Sequence, residues 1–178
     1  MNKLLIALLL FCCNLAYAQT WVKLIQVEDG DTLLVSMDDT TQRIQLAGID
    51  TPEDSQNPKL AVDIKRTGLK AEQLLPLGQA ASQHLKNLVK PEEQLSLSGD
   101  LHQKDRYGRT VAQVSTKKGE SLSLIMVADG YARPIKSATL PSPFADKLKS
   151  AFQNASDHHQ GLWQSHPKNF KAWLAAQK

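Results

Sequence analysis

Two short acidic turns carry the side chains best suited to chemistry: Asp29-Gly30-Asp31-Thr32 and Asp50-Thr51-Pro52-Glu53. Alone, Asp-Gly is ordinary hairpin-turn chemistry, and Asp-Thr-Pro-Glu is a strand end with a solvated carboxylate. Together they place three carboxylates, Asp31, Asp50 and Glu53, at two predicted strand ends, where backbone is held and side chains are free. Converging carboxylates repel, and a hard cation relieves that repulsion. Calcium takes about six to eight oxygen ligands, backbone carbonyls and water included. Zinc is disfavoured, because there is no HExxH-type histidine pair and the two cysteines, Cys12 and Cys13, both lie in the apolar N-terminal run. His158 and His159 are sequence neighbours near a helix end and share no face. A third block, Asp105-Arg106-Tyr107-Gly108-Arg109, is by itself a charged hairpin loop.

These groups need a scaffold that holds strand ends close together. Residues 21–28 alternate apolar and polar and predict a strand. Further strands are predicted over 32–37, 42–49, 94–98 and 110–115. Thr51-Pro52 ends the third, since proline donates nothing to a ladder. Residues 53–75 form a polar, lysine-bearing stretch, the longest irregular segment. Helices are predicted over 78–89, 121–129, with Gly130 as the stop signal, and 144–158, with Phe144, Leu148 and Phe152 on one face. Five short strands with an intervening helix suit a partly open Greek-key barrel, of which the OB-fold is one. The expected class is α+β, mainly β, with about three surface helices.

The 178 residues suggest one domain, and a net charge of +3 permits a polyanionic partner without demanding one. Met1-Asn2-Lys3, the apolar run 4–13 and Ala16-Tyr17-Ala18 have the form of an export signal cleaved near Ala18. The run is too short to span a membrane, and Phe11 stands where a lipidation site before Cys12 would carry a small residue. The expected organisation is a signal peptide over 1–18, a barrel domain over 19–163 and a tail over 164–178. The tail's lysines, Phe170 and Trp173 are open to three roles: binding nucleic acid, docking on the barrel, or staying loose. The mature protein is expected to be an exported (periplasmic or secreted) monomer without a membrane span.

In order and spacing, Asp29-Gly30-Asp31-Thr32, then Leu46-Ala47-Gly48-Ile49-Asp50-Thr51-Pro52-Glu53, then Asp105-Arg106-Tyr107-Gly108-Arg109 resembles the staphylococcal nuclease (thermonuclease) family. Weaker likeness continues through Ala128-Asp129-Gly130-Tyr131-Ala132 to Gly161-Leu162-Trp163. The resemblance implies an OB-fold barrel and hydrolysis of DNA and/or RNA. It implies Ca2+ held by Asp31, Asp50 and the carbonyl of Thr51. Glu53 would orient or deprotonate the attacking water. Arg109 would bind the scissile phosphate, with Arg106 and Tyr107 near a neighbouring one. The sequence departs where the family carries a second catalytic arginine: Gln45 stands there. Arg43, two residues upstream on the same strand face, is displaced by about 6.5–7 Å. It is a candidate replacement and equally a surface charge. The loop over 54–76 is long for the family, and residues 133–138 lack base-stacking tyrosines, Lys136 taking one such place. The alternative function is a weak or inactive OB-fold module that binds nucleic acid without cleaving it.

Overall fold

The computed structural model describes residues 19–135 and 140–177. The expectations for the export segment, with Cys12 and Cys13, and for Lys136 lie outside the described residues. The elements run β1 (Thr20–Val27), β2 (Thr32–Met37), β3 (Thr40–Leu46), a two-residue β4 (Ile49–Asp50), α1 (Pro58–Thr67), α2 (Ala71–Leu88), β5 (Gln94–Ser98), β6 (Thr110–Ser115), α3 (Leu122–Ala128), a two-residue β7 (Arg133–Pro134), α4 (Ser142–Asp157), α5 (Leu162–Ser165) and α6 (Pro167–Ala175).

Five strands close into a barrel in the order β1-β2-β3-β6-β5, with β5 returning to β1. Every pairing is antiparallel except β3 with β6. This is the Greek-key barrel expected for the OB-fold. Alternation sends Val22, Leu24, Leu33, Val35, Ile44, Leu46, Leu95, Leu97, Ala112 and Val114 inward, all fully or nearly fully buried. The alternation of β1 breaks after Leu24 because a bulge between Leu24 and Gln26 resets the face and returns Val27 to the core.

The helices are more numerous than the sequence suggests. The polar stretch read as irregular contains α1 and the start of α2. Asn57 caps α1 by accepting the Leu60 amide, Pro58 takes the first turn, and Gly68 ends it in left-handed geometry (φ 68°). Helix α2 runs through Pro76. A proline inside a helix costs roughly 3 kcal/mol. Burial of Leu74 and Leu77 on either side offsets it, each side chain contributing about 1.5–3 kcal/mol. These two leucines belong to a second apolar core, separate from the barrel, formed with Leu60, Ala155, Leu162, Trp163, Phe170 and Trp173. That core binds α1, α2, α4, α5 and α6 together, and Lys59 of α1 reaches Asp50 at the end of β4.

Candidate active site

The first acidic turn links β1 to β2. Asp29 accepts the Asp31 amide at 3.0 Å and tightens the turn. Asp31 is buried beneath it. Its Oδ1 accepts the Thr32 hydroxyl at 3.1 Å, and its Oδ2 accepts the backbone N–H of Thr51 at 3.1 Å. The two acidic turns are thus hydrogen-bonded to each other. Gly30 makes that approach possible: a Cβ there would sit 2.8 Å from the Thr51 hydroxyl and 2.9 Å from Ala81.

The second turn follows β4, whose Asp50 pairs with Arg133 of β7. Arg133 clamps the Asp50 carboxylate, with Nε 3.0 Å and Nη2 2.8 Å from Oδ2. Lys59, on the first turn of α1, reaches back with Nζ 2.9 Å from Asp50 Oδ1 and 3.1 Å from the Thr51 carbonyl. It also donates to Glu53 Oε1, while Asn57 donates to Glu53 Oε2. Asn57 therefore caps α1 and orients Glu53 at once. Gly78 of α2 lets the Glu53 backbone lie against the helix, where a Cβ would come within 2.2 Å of the Glu53 carbonyl.

The third block is a closed loop between β5 and β6. Asp105 accepts the amides of Tyr107 (2.8 Å) and Arg109 (3.0 Å) and the Nε of Arg109 (2.7 Å). Burial works to raise the Asp105 pKa, but these hydrogen bonds, with Arg109 foremost, hold it below the usual carboxylate range. Arg109 Nη1 donates to the Thr32 hydroxyl at 2.7 Å and lies 3.7 Å from Asp31 Oδ1. Nη2 is not among these donors. Tyr107 is exposed, with the guanidiniums of Arg106 and Arg109 at 4.9 and 5.4 Å from its ring centre.

One open cleft of about 1240 Å³ gathers Asp31, Arg43, Asp50, Glu53, Arg106, Tyr107 and Arg109 on its walls. It exceeds the roughly 300–1,000 Å³ typical of a small-molecule pocket and suits a segment of polymer. Arg43 is half-exposed and its Nε donates to Glu28 at 2.6 Å. Gln45 is buried, and its Oε1 has no partner. Lys59, Asn57, Gly78 and Arg133 are site residues that the sequence reading missed. Asn57-Pro58 is a helix-start signal and was findable; the others depend on contacts that no spacing rule predicts.

The donor set fits a hard cation. Asp31, Asp50 and the Thr51 carbonyl are all oxygens, and a cationic group, the Lys59 ammonium, already sits against two of them. Among the described residues no three carboxylate, histidine or cysteine side chains converge to hold a metal alone. Asp31 shows the same need for positive charge. Burial, then repulsion from Asp29 and Asp50, pushes its carboxyl up to about 7 despite Lys59 and Arg109. A carboxyl with a raised folded pKa contributes stability that is complete below its unfolded value near 4 and is lost as pH rises through about 7. Metal-free protein should therefore lose stability between pH 5 and pH 8 through this group. Asp31→Asn is expected to flatten that loss and raise stability at pH 8 by a few kcal/mol, on the order set by 1.36 kcal/mol per unit of pKa. Urea unfolding at the two pH values in chelator measures it. An unchanged slope would show that Asp31 is not the strained carboxylate.

Comparison with known proteins adds an independent line. The staphylococcal nuclease homologue family matches residues 43–165. An endonuclease (YhcR) of Bacillus subtilis is 34% identical over 108 residues, 60% of this chain and 8% of that protein. The thermonuclease of Staphylococcus hyicus is 30% identical over 148 residues, 83% of this chain and 78% of the thermonuclease. That of Staphylococcus intermedius is 32% identical over 108 residues, 61% of this chain and 55% of its own length. The chain thus spans most of one of these relatives, about half of another and a small part of the third.

Proposed function

The chain belongs to the staphylococcal nuclease homologue family, and we propose that it is an exported nuclease that hydrolyses phosphodiester bonds of DNA and/or RNA with calcium as cofactor. The observation that carries this reading is the meeting, in one polymer-sized cleft, of a held carboxylate (Glu53), a hard-oxygen donor set and an arginine fork. Asp31, Asp50 and the Thr51 carbonyl would hold the ion. When bound, it supplies Lewis-acid polarisation of a phosphoryl oxygen and neutralises its developing charge.

The remaining work falls to the chain's own groups. Glu53 would orient a water and take its proton as the water oxygen bonds to phosphorus and the ester P–O bond breaks, the leaving sugar oxygen taking a proton from solvent water. Asn57, capping α1, fixes the plane of that carboxylate. Arg109, pinned by Asp105 and Thr32, offers its free edge to the scissile phosphate without having to order itself first. Arg106 and Tyr107 stand further along the wall for an adjacent nucleotide, where a ring face can also stack on a base. Arg43 reaches the cleft from β3 and is the candidate for the charge that Gln45 lacks, once it leaves Glu28. Export rests on the N-terminal pattern, and β1 begins directly after the predicted cleavage point. No described helix is long and apolar enough to cross a membrane.

The test is cleavage of single-stranded DNA by the purified protein with calcium and again with a chelator. Cleavage that needs calcium is expected. Its absence in a protein shown to be folded would overturn the reading and leave a nucleic-acid-binding module with Gln45 as the reason.

A further inference from the structure

Lys59 stands where helix physics would not choose a lysine. It lies in the first turn of α1, at the positive end of the helix dipole, and no acidic residue shares that turn. Its ammonium instead folds back onto Asp50 Oδ1, the Thr51 carbonyl and Glu53 Oε1. An ammonium has three N–H donors and no acceptor, so three partners use all of it. It keeps nothing to donate to a phosphate oxygen and cannot itself take a proton. The second oxygen of Glu53 accepts from Asn57, so the carboxylate assigned to the water's proton is engaged at both ends.

Two of the three protein oxygens assigned to calcium are the ones on which Lys59 rests. Calcium binds oxygens at about 2.3–2.6 Å, and the ammonium already lies 2.9 and 3.1 Å from the same two, so an ion there would meet a like charge at close range. We propose that Lys59 is a built-in competitor for the catalytic cation. Its tethered ammonium fills the cation position and quiets Glu53, and it must swing out before calcium binds and Glu53 is released. This rests on the metal reading above. The stem is long and the side chain is 26% exposed, so the way out into the cleft is open. A tethered competitor acts at high effective concentration, which raises the calcium concentration needed to fill the site. A permanent replacement for the metal would need a free donor edge, and the ammonium has none.

The test is calorimetric titration of calcium into the full protein without nucleic acid, so that activity is not the readout. Lys59→Met keeps the stem and removes the charge; Lys59→Ala is the second variant, and both are checked by circular dichroism. Either variant is expected to bind calcium at least about tenfold more tightly than the parent, an effect of roughly 1.4 kcal/mol. Asp50→Asn should abolish binding in the parent and in Lys59→Met. Equal or weaker binding by the Lys59 variants, with Asp50→Asn still abolishing it, overturns the competitor and leaves the metal reading standing. No calcium binding by parent or variants overturns both. Full-rate cleavage by the chelated parent that Lys59→Met loses would make Lys59 the metal's substitute and overturn the competitor as well.

Discussion

Glu53→Gln is expected to lower calcium-dependent cleavage of single-stranded DNA by roughly 10²–10⁴-fold, the usual worth of a positioned general base, while nucleotide binding is retained. The substitution is close to isosteric. A glutamine oxygen can still accept from Asn57, so α1 keeps its cap and the turn keeps its shape. What goes is the charge that takes a proton and the acceptor that holds Lys59. Initial rates on a quenched oligonucleotide, with nucleotide affinity measured in parallel, separate the two consequences. A fall in rate at constant affinity is the expected split. A parent-level rate would mean that another group takes the proton. Joint loss of rate and affinity would make Glu53 a strut for the cleft, because its carboxylate also ties the second acidic turn to α1.

How far the molecule is legible in its sequence depends on the range of the interactions. The barrel strands show in two-residue alternation, a local property, and the one irregularity in β1 is a bulge that shifts the alternation by one place. The acidic turns show because Asp-Gly and Thr-Pro punctuate the chain. The helical layer is less legible for a different reason. Leu60 and Asp63 are the buried residues of α1, which is too short and too polar for its periodicity to stand out. Pro76 hides the continuity of α2. The candidate site's inner shell is legible least of all. Lys59 meets Thr51 across eight positions, Arg133 meets Asp50 across 83, and Trp173 meets Asp63 across 110. The resemblance brings in Asp31, Asp50, Thr51, Glu53 and Arg109 by motif, but motifs are silent about what occupies the space between those residues.

The second large effect lies in the tail, outside the stretch matched to the family. Trp173→Ala is expected to destabilise the protein by about 3–5 kcal/mol, the range for deleting a large buried aromatic. The indole is fully buried and stacks on Phe170 at 5.8 Å, which in turn meets Trp163 edge-on at 5.1 Å. Its Nε1–H donates at 3.0 Å to Asp63, a buried carboxylate on α1 whose other oxygen accepts from Gln177. Truncation leaves that carboxylate half satisfied, a penalty of its own. Trp173→Phe isolates this part, since it keeps a ring on Phe170 and removes only the donor; about 1–3 kcal/mol is expected. Urea unfolding checks both. A loss under about 1 kcal/mol for Trp173→Ala would mean that α6 is not docked in solution. The consequence reaches the cleft, because Asp63 is one helical turn beyond Lys59, and the same indole lies 5.6 Å beneath the Arg133 guanidinium that clamps Asp50. Below the melting range, Trp173→Ala should therefore also cleave more slowly than the parent at equal folded fraction. The C-terminal helix packs under Arg133 and braces the helix that carries Lys59, and a segment that carries no catalytic group thereby helps to set the geometry of the site.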